Sequence, residues 1–181
     1  MAKTTRTRSQ VAKRNVEAGK RAERDTFRWL AAHGFPGAAR LQRTGHRTRH
    51  STAPDEGDGK VTCGIAWQVK YYTTGSWPVQ TWLHQTEQQR LAAGADLGVL
   101  VIRQPGKADP GRWIGVIRND AEAALLGAVD WPEDPTPVRR ELRDLVVSLR
   151  RAGRGEPLTD QALAELRGQA VAEEDAEPAA T

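Results

Sequence analysis

Leu97, Gly98, Val99, Leu100, Val101 and Ile102 form an almost unbroken apolar run of strand length. A strand with one wet face alternates apolar and polar residues, so a continuous run fits a position buried within a sheet. Elements on both sides of this run supply the covering layers. Upstream, Val16, Gly19, Glu23, Phe27 and Leu30 recur at spacings of three and four, which predicts a helix of about five turns ending at His33-Gly34. Residues 38–44 suit a short strand, and residues 45–57 form a polar stretch without period. Residues 61–63 and 65–72 are two β-prone runs around Gly64, the pattern of a hairpin. Helical spacing returns over residues 79–93 through Trp82, Gln85, Gln89 and Ala92, and Gly94 closes it. Residues 112–118 give one more strand.

This order, helix, three strands, helix, two strands, predicts an α/β domain with a mixed central sheet flanked by helices. We place that domain at residues 15–120, after a basic flexible arm at 1–14. Residues 121–171 read as a helical C-terminal extension. Within it, Pro137 opens a helix carrying Val138, Leu142, Leu145, Val146 and Leu149 on one face and Arg139, Arg143 and Arg150 on the other, and a shorter helix covers residues 159–168. Residues 172–181 read as an acidic disordered tail.

The charge is unevenly spread. Lysine and arginine total 27 against 23 acidic residues, a net +4, yet residues 1–24 hold eight basic groups against Glu17 and Glu23, which is +6. The tail carries Glu173, Glu174, Asp175 and Glu177 with no basic residue, so the remainder of the chain is +8. A cationic body favours a polyanion, of which nucleic acid is the commonest. The sequence has no apolar run long enough to span a membrane and a first segment too charged for a secretory signal, so the expectation is a cytoplasmic protein with no membrane partner. A lone Cys63 fits a reducing compartment.

Two constellations carry chemistry. Glu23 sits in the apolar stripe of the first helix, where an unpaired carboxylate costs several kcal/mol and so calls for a cation, a metal or a strong donor. An arginine or lysine at the domain edge is one such partner. The second is Asp55-Glu56-Gly57-Asp58, followed ten residues on by Gln68-Val69-Lys70. Period-two alternation places Gln68 and Lys70 on one face of a strand and Trp67, Val69 and Tyr71 on the other. A hairpin that starts its first arm at Asp58 brings that carboxylate beside the Gln68 amide and the Lys70 ammonium. Oxygen donors next to a lysine suit a hard divalent cation and a phosphate.

These residues resemble the PD-(D/E)XK nuclease superfamily, in which an acid precedes a strand bearing an acid-x-Lys motif. The likeness is nearest to Holliday-junction-resolvase-like endonucleases of phages and bacteria. It rests on Gly19-Lys20-Arg21-Ala22-Glu23-Arg24, Gly34-Phe35-Pro36, Gly57-Asp58, Gln68-Val69-Lys70, and Pro105-Gly106-Lys107 followed by Trp113, over about residues 15 to 118.

The resemblance implies a restriction-endonuclease-like core and a Mg²⁺-dependent endodeoxyribonuclease, with Mn²⁺ as the alternative metal and no small-molecule cofactor. Asp58 would be the principal metal ligand, with Gln68 through its amide oxygen, Val69 through its backbone carbonyl, and Glu23 directly or through water. Lys70 would orient the attacking water and offset charge on the scissile phosphate. Lys20, Arg21, Arg24, Arg43, Arg47, Arg49 and Lys107 are the expected DNA contacts. Branched DNA is the expected substrate, in recombination, repair or phage DNA processing in a bacterial or phage-infected cell, and symmetric cleavage of a four-way junction implies a homodimer. Gln68 departs from the usual Glu and removes one negative charge from the metal shell. The departure leaves two alternatives: an Mrr-like restriction-type nuclease, whose members also show Gln-x-Lys, or a DNA-binding protein of the same fold with weakened or lost catalysis.

Other residues are more ambiguous. His46 and His50 lie four apart in an Arg-rich loop, a weak zinc signal that phosphate contact or solvation accounts for better. Tyr71, Tyr72, Trp77 and Trp82 suit either base stacking or packing, with packing favoured for Trp82. Gln85 and Gln89 face either the site or solvent.

Overall fold

A computed structural model describes residues 8–40, 58–72, 76–130 and 132–174. Its elements are α1 (Arg8–Ala32), β1 (Ile65–Tyr71), α2 (Val79–Ala92), β2 (Leu97–Arg103), β3 (Ile114–Arg118), α3 (Asn119–Leu125), β4 (Pro137–Glu141), α4 (Leu142–Arg151) and α5 (Asp160–Glu174), with a 3₁₀ turn at Pro110–Arg112. The strands lie in the order β1-β2-β3-β4. β1 and β2 are parallel, with Gln68 opposite Leu100 and Lys70 opposite Ile102. β2–β3 and β3–β4 are antiparallel. The protein is therefore of the α/β class, with a four-stranded mixed sheet between helices.

The apolar run of β2 is explained by cover on both faces. Val99 and Val101 join Phe27, Leu30, Trp67, Trp113 and Leu149 in the core beneath α1 and α4. Leu100 and Ile102 join Val79, Leu83 and Val116 beneath α2. Each such side chain taken fully out of water contributes about 1.5–3 kcal/mol.

Between α1 and β1 the chain forms a tight hairpin. Cys63 and Gly64 both have positive φ, 52° and 74°, as a two-residue type I′ turn requires. Thr62 and Ile65 close it with two backbone bonds of 3.1 and 2.9 Å. Among the described residues the three expected strands before α2 appear as isolated bridges, Arg40 to Gly59 and Thr62 to Ile65, and as β1, the one full strand. Two glycines in residues 58–64 and a Val61 that points to solvent leave that arm little to bury. Residues 41–44 of the first expected strand lie outside the described residues.

Three boundaries differ from expectation. α1 starts at Arg8, seven turns in place of five, so residues 8–14 of the expected flexible arm are helical. Ala12, Lys13, Arg14, Glu17 and Ala18 are good helix formers even where no apolar stripe exists to announce a helix. Pro137 opens the edge strand β4, where a first-position proline costs no ladder bond, and the helix begins at Leu142. Residues 137–151, expected within a helical extension, thus supply the fourth strand and, through Leu142, Leu145, Val146 and Leu149, part of the α1-side core. α5 runs from Asp160 to Glu174, so residues 172–174 of the expected tail are helical, and residues 175–181 lie outside the described residues.

Candidate functional site

β1 is the edge strand, and the hairpin folds Asp58 back along its open side. The Asp58 backbone N–H donates to Trp67 O at 3.3 Å, and the Val69 N–H donates to Asp58 Oδ2 at 2.9 Å. The carboxylate is thereby held against the backbone between Gln68 and Lys70. Gly59 makes this placement sterically feasible, since a Cβ there would lie 2.2 Å from the Phe27 ring of α1.

The expected alternation along β1 holds. Trp67, Val69 and Tyr71 pack toward α1, while Gln68 faces α2 and is only 2% exposed. Thr86 has a single hydroxyl proton and donates it to Trp82 O at 2.9 Å. It therefore accepts from the Gln68 amide nitrogen, 2.8 Å away. That orientation turns the Gln68 oxygen to Lys70 Nζ at 3.1 Å and to Gln89 Nε2 at 3.0 Å. The reverse would set the amide NH₂ against the ammonium, donor facing donor. Gln68 is thus the centre of a buried network that ties Lys70 of β1 to Thr86 and Gln89 of α2. Of the ambiguous glutamines, Gln89 faces this network and Gln85 is exposed.

Glu23 faces inward from α1 with 19% of its side chain exposed, and its carboxylate is bound by Arg40 Nε. Arg40 is bridged to Gly59, the neighbour of Asp58. Glu23, on α1, is thereby tied through Arg40 to the bridge next to Asp58. Lys20, Arg21 and Arg24 lie on α1, Lys20 paired with Glu17 at 3.3 Å. Lys107 stands apart from this group, 3.7 Å from Glu141 of β4 at the opposite edge of the sheet. Arg43, Arg47, Arg49, His46 and His50 lie outside the described residues. Trp82 makes an edge contact with Tyr72, and both Trp77 and Trp82 pack on the α2-side core.

Two participants escape sequence reasoning. Thr86 follows Val79 and Leu83 at helical spacing, so a hydroxyl inside an apolar stripe was the available signal. Arg40 lies within the expected strand of residues 38–44 and carries no signal of its own.

Among the described residues no three His, Cys, Asp or Glu side chains cluster as a metal site. The donor chemistry of Asp58 and Glu23 is nevertheless that of a hard cation's ligands, since both offer carboxylate oxygens. Gln68 is the weaker member, since its one oxygen already accepts from two donors. Among the described residues no helix is long and apolar enough to cross a membrane. The chain matches no protein-family model, no curated protein and no solved structure.

Proposed function

We propose that this protein is a metal-dependent endonuclease of the PD-(D/E)XK type that hydrolyses phosphodiester bonds in branched DNA, acting as a homodimer. The observation that carries the reading is the anchoring of the Asp58 carboxylate at the Val69 amide, with Gln68 and Lys70 on either side. Asp58 is the principal cation ligand, and Glu23 joins it on release from Arg40. A bound Mg²⁺ would supply Lewis-acid activation of water and phosphate. Lys70, its ammonium fixed by the Gln68 oxygen, offsets the negative charge that grows on the phosphate. Arg40, freed from Glu23, adds a second cation at the same edge.

One observation favours a second reading, a DNA-binding protein with weakened catalysis. Both lone pairs of the Gln68 oxygen are engaged by Lys70 and Gln89, which leaves that oxygen no capacity for a metal unless the network opens.

The test is nicking of a synthetic four-way junction and of a linear duplex with Mg²⁺ present and absent. Mg²⁺-dependent nicking of the junction that Lys70→Ala abolishes supports the endonuclease. Tight DNA binding with no cleavage of either substrate supports the second reading and overturns the first.

A further inference from the structure

Among the described residues, the first three turns of α1 bury no side chain. Every described side chain from residue 9 to residue 17 is exposed, and the first buried one is Ala22. Helices in proteins draw most of their stability from burying one face, so a stretch held by propensity alone is a surface awaiting a partner. Among the described side chains of α1, Val16, 56% exposed, is the sole large apolar one that is exposed, too little for an apolar docking face.

Charge identifies the partner. Arg14, Arg21, Arg24 and Arg28 recur at i, i+7, i+10 and i+14, and all four are exposed. At 3.6 residues per turn they fall within about 80° of the helix circumference, opposite the buried face, and extend about 21 Å along the axis. Among the described residues none of the four has a hydrogen-bond or ion-pair partner. Glu17, the acid within the same arc, is neutralised by Lys20 at 3.3 Å. A straight row of uncompensated guanidinium groups matches the regular row of charges on a nucleic-acid strand.

We propose that this arginine ridge lies along the sugar-phosphate backbone of duplex DNA and sets the position of the duplex relative to Asp58. It rests on the reading of the chain as a DNA-acting protein and adds where the duplex runs. The same helix carries Glu23, whose partner Arg40 is bridged to Gly59, so a duplex held on the ridge has a fixed relation to Asp58. Contacts of this kind fix register and orientation without reading sequence.

The experiment is fluorescence anisotropy of the full chain on a labelled duplex in EDTA over a salt series, comparing wild type with the combined Arg14→Gln, Arg21→Gln, Arg24→Gln, Arg28→Gln variant. Gln keeps helix propensity, and thermal melting checks that the fold is intact. The expected result is a log-affinity against log-salt slope shallower by about 3 to 4, from about 0.9 per lost phosphate contact, with affinity at low salt down at least about tenfold. The four-fold Lys variant retains most of the slope. A Gln variant with wild-type slope and affinity overturns the ridge, as does a wild type that binds no DNA. Cleavage is scored separately with Mg²⁺. A slope change in the Gln variant beside a wild type that never cleaves leaves the ridge standing and sinks the endonuclease.

Discussion

The Gln68 amide oxygen accepts from the Lys70 ammonium at 3.1 Å beneath α2, so the lysine of the site is fixed by its neighbour two residues back on the strand. Removal of that acceptor leaves Lys70 and Gln89 without their acceptor and Thr86 without its donor. Gln68→Leu is predicted to cost about 2–4 kcal/mol, because buried donors left unsatisfied cost about 1–3 kcal/mol each. Gln68→Glu keeps the shape, adds a charge that Lys70 neutralises, and is predicted to tighten Mg²⁺ or Mn²⁺ binding about fivefold or more. Urea unfolding checks the first outcome and calorimetric cation titration the second.

Gly59→Ala places a methyl group 2.2 Å from the Phe27 ring. The hairpin must shift, at about 1–3 kcal/mol for an overpacked contact, and Asp58 shifts with it. We expect a lower melting temperature together with lost nicking activity. A companion change, Phe27→Leu, makes room for the methyl and restores part of the activity.

Arg150 joins distant parts of the chain. It is 7% exposed and donates to the backbone carbonyls of His33 at 3.3 Å, Glu156 at 2.9 Å and Pro157 at 2.8 Å. Arg150→Leu orphans three carbonyls and releases the end of α1 from the segment after α4. The predicted loss is about 2–4 kcal/mol in chemical denaturation, at about 1–3 kcal/mol per hydrogen bond to a charged group less what water recovers.

Acid sensitivity centres on Asp120. The hydrogen bond from the Arg118 guanidinium holds its carboxyl below the usual range, aided by the amides of Asp134 and Ala121. A carboxyl whose folded pKa is depressed stabilises the fold above its unfolded pKa, and that contribution is lost as pH falls through the folded value. Stability should therefore decline below about pH 4, and Asp120→Asn should flatten that part of the profile. Melting temperatures between pH 7 and pH 3 check both.

Each feature of the fold leaves a different kind of signal in the sequence. The β2 run and the alternation of Trp67 to Tyr71 are burial patterns, and burial is what periodicity reports. No described side chain in the first three turns of α1 is buried, so propensity alone marks them, and the helix reads short. Pro137 suits a helix start and an edge-strand start equally, and the choice is made by pairing with β3, a contact distant in sequence. Within the site, the Gln68 and Lys70 face is local and visible. The Glu23–Arg40 pair spans 17 residues across a turn. Local spacing told of Glu23's need for a partner and not of its identity.

In the proposed mechanism Asp58 works chemically at the β1 edge rather than only bracing it. Asp58→Asn retains a side-chain oxygen for the Val69 amide and removes the charge, so the hairpin should stand while catalysis fails. The decisive measurement is the single-turnover rate of four-way-junction nicking in Mg²⁺ for wild type and Asp58→Asn, with melting temperatures beside it. Equal melting within a few degrees and a rate lower by about 10² or more are expected for loss of a metal-binding carboxylate. An Asp58→Asn protein that nicks at the wild-type rate would contradict that mechanism.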